Sequence, residues 1–254
     1  MRLNTVEMGA GAPVVLLHGL FGAAQNWGAI QKRLATGHRV LALDLRNHGA
    51  SPPGPSMDYP VMAEDVAETL TALGALPATV VGHSMGGKVA MALALSRPQA
   101  VARLAVADIA PVAYPPALRA YVTAMRELPL SPGMTRREAD AALAAAVPEA
   151  GIRAFLLQNL RFGADAPAWR LGLDEIAAAM PSIEGFPEFD ARYEGPALFL
   201  SGERSDYIRP EHQGLIRALF PAARFATVPA AGHWVHAENP EGFLTLLEPF
   251  LDSG

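Results

Sequence analysis

Residues 78–95 have the sequence ATVVGHSMGGKVAMALAL. The first four residues are mostly apolar or β-branched and predict a buried strand, whereas residues 86–95 are typical of a helix. Between them, residues 82–86 fit the pattern G-x-S-x-G, in which glycines let a strand and a helix approach each other closely. A serine in such a turn is strained and projects its hydroxyl from the end of the sheet. The stretch therefore predicts that Ser84 is an exposed nucleophile.

The same alternation of short apolar runs and helical segments extends on both sides of this turn. Short strands are predicted at residues 14–17, 39–43, 104–107, 197–201 and 226–228. Helices are predicted at residues 27–35, 61–73, 211–219 and 242–251. Strands that alternate with helices of this length indicate an α/β protein, with a mostly parallel central sheet and helices on both faces.

The alternation disappears between about residues 112 and 195. Four helical segments separated by prolines are predicted there, at residues 117–127, 136–146, 151–160 and 173–180. We interpret residues 112–195 as a helical cap, or lid, inserted into an α/β core formed by residues 1–111 and 196–254.

The composition excludes several classes of protein. The chain has 254 residues, 51% of them hydrophobic, a net charge of −5 and no cysteine. The lack of cysteine excludes disulfides, cysteine-based metal sites and a cysteine nucleophile. The acidic balance argues against nucleic acids or anionic membranes as partners. Residues 1–11 do not resemble a signal peptide, and no apolar run approaches the ~18 residues that span a bilayer. We expect a cytoplasmic protein, either a monomer or a homodimer.

A serine hydroxyl needs a neighbouring base, and histidine is the usual one because its pKa is close to neutral. Of the seven histidines, His233 follows the last predicted strand in the motif AGHW, residues 231–234. This position suits the chain order serine, acid, histidine. We expect His236 to be a nearby hydrogen-bonding or surface residue and His18 to anchor its loop. Nothing places the other histidines in catalysis.

Four motifs together resemble those of the α/β-hydrolase superfamily. They are HGLFG at residues 18–22, DLRNHGAS at 44–51, GHSMGGK at 82–88 and AGH at 231–233. Within the superfamily, RNHG at residues 46–49 and DIAPV at 108–112 are similar to the YbfF-like branch of esterases and thioesterases. The resemblance implies the α/β-hydrolase fold and a reaction that requires no cofactor.

The resemblance also implies an oxyanion hole built from two backbone N–H groups. By position these belong to Met85, directly after the nucleophile, and to Leu20, in the loop after the first predicted strand; Phe21 is the nearest alternative to Leu20. Two such donors, aimed at the developing negative oxygen, each stabilise it by about 3 kcal/mol.

The acid that orients the histidine has two candidates, Asp108 and Asp206. Asp206 follows the strand that usually carries the acid in this superfamily. It lies one residue beyond the usual position of the acid, which Ser205 occupies. Asp108 ends the predicted strand at residues 104–107 and resembles the acid of the YbfF-like branch. We favour Asp108, keep Asp206 as the alternative, and expect Ser205 to support His233 through a hydrogen bond.

The remaining residues of interest belong to loops and to the cap. Phe21, Tyr114, Phe155 and Trp234 are predicted to line the substrate pocket, partly from within the cap. The polar cluster at residues 46–48 is interpreted as a structural loop. The histidines lack the spacing of a metal site, so no metal is expected.

These observations predict a serine hydrolase that cleaves small carboxylic esters or thioesters of short to medium acyl chains through an acyl-enzyme. A carbon–carbon bond hydrolase or a cofactor-free peroxidase could use the same scaffold, because a fold does not determine a function. A receptor that binds a small ligand without turnover is an alternative of a different class.

Overall fold

The computed structural model describes residues 1–163 and 165–252. Residue 164, in the predicted cap, and residues 253 and 254, at the end of the predicted core, lie outside the described residues. The strands of the described part are β1 (Thr5–Met8), β2 (Pro13–Leu17), β3 (Arg39–Leu43), β4 (Ala78–His83), β5 (Val101–Ala107), β6 (Leu160–Arg161), β7 (Ala168–Trp169), β8 (Ala197–Gly202) and β9 (Ala223–Val228).

The α-helices of the described part range from four to fourteen residues in length. They are α1 (Gly28–Leu34), α2 (Tyr59–Ala72), α3 (Met85–Ser96), α4 (Arg119–Glu127), α5 (Arg136–Leu143), α6 (Ala150–Leu156), α7 (Leu173–Glu184), α8 (His212–Leu219), α9 (Val235–Glu238) and α10 (Pro240–Asp252). Within residues 1–163 and 165–252, no helix has both the length and the apolar character needed to cross a membrane.

Seven strands form one sheet in the order β1-β3-β2-β4-β5-β8-β9. All neighbours are parallel except β1 and β3, so the prediction of a mostly parallel sheet is confirmed. The sequence analysis missed β1 because its residues are mostly exposed at the sheet edge and form no continuous apolar run. Central strands are buried on both faces and give the continuous apolar runs seen in the sequence.

Successive residues of each central strand pack into different layers of the core, because side chains alternate across a sheet. In β2, Val14 and Leu16 join the layer that contains α1 and α10, whereas Val15 and Leu17 join the layer that contains α2 and α3. Helices therefore cover both faces of the sheet, as predicted.

The predicted cap, residues 112–195, contains α4 to α7 and the two-stranded ribbon of β6 and β7, all outside the seven-stranded sheet. The ribbon was not predicted, because two-residue strands leave no periodic pattern. Helix α5 ends at Leu143 rather than at 146, and α7 continues to Glu184. Thr135 and Glu138 form a capping box at the start of α5, which fixes where that helix begins.

Hydrogen bonds attach this segment to loops that follow the sheet strands and to the start of α2. The Asn159 side chain donates to the Phe21 carbonyl at 2.7 Å, and the Tyr59 hydroxyl donates to the Ile183 carbonyl at 2.6 Å. The Gly172 amide donates to the Asn47 carbonyl at 2.9 Å. These bonds hold the second half of the helical segment against the rest of the protein.

Close backbone contact between α3 and β2 leads to a test of stability. A Cβ atom on Gly86 would lie 2.4 Å from the Leu17 carbonyl oxygen, whereas one on Gly151 would have no atom within 4 Å. We expect Gly86→Ala to lower the Tm by about 5 °C or more, because relieving a backbone clash costs a few kcal/mol and each kcal/mol shifts the Tm by about 2–4 °C. Gly151→Ala, the matched control in α6, should keep or raise the Tm.

Thermal unfolding followed by circular dichroism measures both variants. Equal Tm values for Gly86→Ala and Gly151→Ala would contradict the close packing of α3 on β2.

Candidate active site

Ser84 lies between β4 and α3 in a strained backbone conformation, with φ 52° and ψ −121°. A residue with a side chain adopts a positive φ only where its surroundings impose it. The Ser84 amide donates to the Ala107 carbonyl at 3.0 Å, and the Ser84 carbonyl accepts from the Lys88 amide at 3.1 Å. A Cβ atom on Gly82 would lie 2.2 Å from the Gly86 carbonyl oxygen. The predicted turn therefore forms only because glycines flank the serine.

His233 lies in the loop between β9 and α9, and its Nε2 is 3.1 Å from the Ser84 hydroxyl oxygen. Its imidazole stacks on the Tyr207 ring, with the ring centroids 3.9 Å apart and the planes tilted by 21°. The His83 ring nitrogen Nε2 donates to the His233 carbonyl at 2.8 Å. Contacts to both the ring and the backbone thus hold His233 toward Ser84.

Asp108 follows β5 with a φ of 53° and is fully buried. Its Oδ2 accepts from Nδ1 of His233 at 2.8 Å and from the Ser205 hydroxyl at 2.5 Å. Its Oδ1 accepts from the Gly202 amide at 3.0 Å. Because the carboxylate accepts a hydrogen bond from the Nδ1–H group, Nε2 of His233 is left without a proton and can accept the proton of the serine.

Asp206, the alternative acid, lies exposed at the surface, and its carbonyl accepts from the Arg209 guanidinium at 3.1 Å. The structure therefore brings Ser84, His233 and Asp108 together and leaves Asp206 aside. Ser205 differs from the sequence-based expectation, because its hydroxyl bonds the Asp108 carboxylate and not His233. At the end of β8 the loop turns the Ser205 side chain toward the buried acid, and the next residue points to solvent.

The resemblance assigns the oxyanion hole to the backbone amides of Met85 and Leu20. Met85 is the first residue of α3, where the N–H groups of a helix have no partner within the helix. The Phe21 amide, the alternative donor, is engaged, because it donates to Nε2 of His48 at 3.2 Å. This engagement favours Leu20 over Phe21 as the second donor.

The neighbouring histidines are buried and hold loops in place. His18 accepts from the Leu45 amide at 2.9 Å, and burial lowers its pKa below the usual range. His48 donates through Nδ1 to the Arg46 carbonyl at 2.8 Å, and burial lowers its pKa to about 3. Burial also lowers the pKa of His236 to about 3, and its ring stacks on Trp27. His236 is therefore a buried core residue, not the surface or hydrogen-bonded partner that we expected.

The polar cluster at residues 46–48 is held by bonds within the core, as its structural interpretation requires. The Arg46 guanidinium forms a buried ion pair with Asp65 at 2.6 Å. The Asn47 side chain donates to the Gly54 carbonyl at 2.9 Å and accepts from the Gly54 amide at 2.8 Å.

Two cavities reach Ser84, and the predicted pocket residues divide between them. A cleft of about 790 Å³ is lined by Phe21, Phe155 and Trp234, and the last two rings are 6.0 Å apart. Tyr114 lines a second cavity of about 50 Å³, which also borders Ser84. Its hydroxyl donates to the Tyr207 carbonyl at 2.6 Å and accepts from the Ala110 amide at 2.8 Å.

Sequence reasoning missed Lys88 and Tyr207 as residues of the site. Lys88 lies one helical turn after Ser84 and lines the smaller cavity, a position that the i, i+4 spacing could have indicated. Its buried ammonium donates to the Glu184 and Gly185 carbonyls at 3.0 and 2.6 Å, and burial lowers its pKa to about 7. Nothing in the sequence singles out Tyr207, because its stacking on His233 depends on the fold.

Comparison with known proteins finds one sequence family. The sequence model of the α/β hydrolase fold matches residues 12–240. The chain is 46% identical to sn-1-specific diacylglycerol lipase ABHD11 of Mus musculus, over 99% of this chain and 85% of that protein. It is 37% identical to esterase YbfF of Escherichia coli, over 95% of this chain and 93% of that protein. The solved structure of a marine microorganism esterase superposes with a TM-score of 0.94 at 35% sequence identity. The superposition covers 98% of this chain and 99% of that one. The resemblance to this superfamily and its fold is thereby confirmed.

The contrast between the two aspartates gives a direct test of the site. We expect Asp108→Asn to lower kcat/KM by about 10⁴-fold, because an amide favours the wrong histidine tautomer and does not stabilise the imidazolium. Asp206→Asn, at the exposed position, should stay within about twofold of the parent.

Initial rates on p-nitrophenyl butyrate measure both variants, with circular dichroism to check folding. Full activity of Asp108→Asn, or an equal loss in Asp206→Asn, would show that Asp108 is not the acid.

Proposed function

The chain belongs to the α/β-hydrolase family, and on that premise we propose that it hydrolyses carboxylic esters or thioesters through an acyl-enzyme on Ser84. One observation carries the proposal: the unbroken series of hydrogen bonds from the Ser84 hydroxyl through His233 to buried Asp108. Nucleophile, base and orienting acid in this geometry activate serine for acyl transfer.

In the first half of the reaction, Nε2 of His233 takes the Ser84 proton while the serine oxygen attacks the carbonyl carbon. The carbonyl oxygen gains a negative charge, which the Leu20 and Met85 amides stabilise as donors held in position in advance. When the carbon–oxygen or carbon–sulfur bond breaks, the proton on His233 passes to the leaving alcohol or thiol. The acyl group stays on Ser84.

In the second half, water takes the place of the leaving group beside His233. The imidazole accepts a proton from water as it attacks the acyl carbon, and then returns that proton to the Ser84 oxygen as the acid departs. The free carboxylic acid and the original enzyme result, so no cofactor takes part in the proton balance.

Asp108 contributes by stabilising the positive charge that His233 carries in both halves. Its carboxylate accepts hydrogen bonds from the Gly202 amide and the Ser205 hydroxyl as well as from His233. Donors to the charged form of a buried carboxylate offset the cost of its burial. These hydrogen bonds fix the orientation of the carboxylate, which in turn holds the imidazole in one tautomer.

The surroundings of the site favour neutral, apolar substrates. Leu20, Phe155 and Leu156 line the larger cleft, and Trp234 lies at its His233 side. Apolar lining with a few polar groups at the reacting centre is the usual character of small-molecule sites. We propose that the helices of residues 112–195 form a lid, which covers Ser84 and excludes water from the charge that develops on the carbonyl oxygen.

We also propose that the protein is cytoplasmic and works as a monomer or a homodimer. A chain without cysteine suits a reducing compartment, and its net charge of −5 disfavours polyanionic partners. Light scattering after gel filtration measures the number of subunits.

A series of p-nitrophenyl esters from acetate to laurate tests the activity. We expect many turnovers on the shorter esters, and a loss of about 10⁴-fold or more in Ser84→Ala, because the acyl-enzyme can no longer form. The substitution removes only a hydroxyl, so we expect the variant to fold like the parent protein, and circular dichroism of the two checks this.

Hydrolysis that survives in Ser84→Ala would contradict the assignment of the nucleophile. Binding of an ester with at most one slow round of cleavage would instead indicate a receptor.

A further inference from the structure

The two cavities at Ser84 contact different parts of the catalytic machinery. The larger cleft borders His233 and continues along Trp234 and the start of α6. The smaller cavity borders Met85 and runs under α7 toward Lys88 and Met180. Leu20 and Ser84 line both cavities, so a substrate carbonyl held at the serine can extend one arm into each.

The positions of the proton donor and of the oxyanion donors determine which arm enters which cavity. The leaving oxygen or sulfur has to receive its proton from Nε2 of His233, so the leaving group lies on the His233 side. The carbonyl oxygen points to the amides of Leu20 and Met85. The remaining direction from the tetrahedral carbon is that of the acyl chain, and it leads away from His233.

We propose that the smaller cavity is the acyl subsite and that the larger cleft holds the leaving group. This assignment rests on the proposed function and adds a substrate class to it. The substrates are esters that join a short acyl group to a large apolar alcohol or thiol. The two arms of the substrate are thus selected separately.

Size limits the acyl group. The smaller cavity has a volume of about 50 Å³, and each water-sized group needs roughly 10–15 Å³ on this measure. There is room for about four non-hydrogen atoms beyond the carbonyl carbon. The larger cleft, at about 790 Å³, takes a leaving group of ten or more such atoms on the same measure.

The closed end of the smaller cavity is fixed by hydrogen bonds. The Lys88 ammonium donates to the carbonyls of Ile183, Glu184 and Gly185, at the end of α7. It lies 5.6 Å from the centre of the Tyr59 ring and 4.9 Å from that of Tyr114. The Lys88 nitrogen therefore contacts three carbonyl oxygens, and a longer acyl chain would have to break these buried hydrogen bonds to enter.

A pair of isomeric esters tests the assignment without a change in composition. Octyl acetate and ethyl octanoate contain the same atoms, but the first has a short acyl group and a long alcohol, and the second has the reverse. We expect kcat/KM for octyl acetate to exceed that for ethyl octanoate by about tenfold or more, because octanoyl exceeds the room beside Lys88. Acid release in a pH-stat measures both.

Substitutions of residues that line each cavity then test which cavity sets the preference for a short acyl group. Of the two cavities, Met180, on α7, lines only the smaller one, and Leu156, on α6, lines only the larger cleft; both side chains are buried. We expect Met180→Ala to raise the ratio of ethyl octanoate to octyl acetate activity by about tenfold. Leu156→Ala, the matched control, should change that ratio by less than about threefold.

The outcomes separate this assignment from the proposed function. A preference for ethyl octanoate in the parent protein, or equal rates on the two isomers, overturns the subsite assignment and leaves the esterase intact. Hydrolysis of neither isomer, with no activity on the p-nitrophenyl series, overturns both. If Met180→Ala does not fold, Met180→Val makes a smaller opening and should shift the ratio in the same direction; an unchanged ratio contradicts the assignment.

Discussion

The close approach of three backbone segments at Ser84 is the constraint on which the rest of the site depends. Gly82 and Gly86 let β4, α3 and β2 meet at distances that no side chain would permit. The serine between them is thereby held at a positive φ with its hydroxyl clear of the sheet. The cost of the strained residue is offset by the buried strands on either side, because the parallel sheet fixes both ends of the turn.

A similar close contact brings the acid and the base together. A Cβ atom on Gly202 would lie 2.1 Å from the Gly232 carbonyl oxygen, so the end of β8 packs directly on the loop that carries His233. In the same place the Gly202 amide bonds the Asp108 carboxylate. Ser84, Asp108 and the His233 loop follow β4, β5 and β9, and β8 lies between β5 and β9 in the sheet, so the geometry of the site follows from strand order.

The helical segment between the two parts of the sheet shapes what reaches this centre. Asn159 of this segment bonds the Phe21 carbonyl, and the carbonyls at the end of α7 accept from Lys88 of α3. Residues of the segment line both cavities at Ser84. Because buried hydrogen bonds hold the segment at both points, the fold sets the walls of the cavities.

The sequence by itself determined the alternating scaffold, from apolar runs along the chain. It also indicated the strained serine turn and the candidate base, because these depend on short patterns around residues 82–86 and 231–234. Strand β1 and the β6–β7 ribbon were missed, because they carry no continuous apolar signal. Only the tertiary structure placed Asp108, and not Asp206, against His233 and gave Ser205 its partner. Both aspartates follow buried strands. The carboxylate that contacts His233 is determined by where neighbouring strands end in space, and spacing along the chain does not encode those positions.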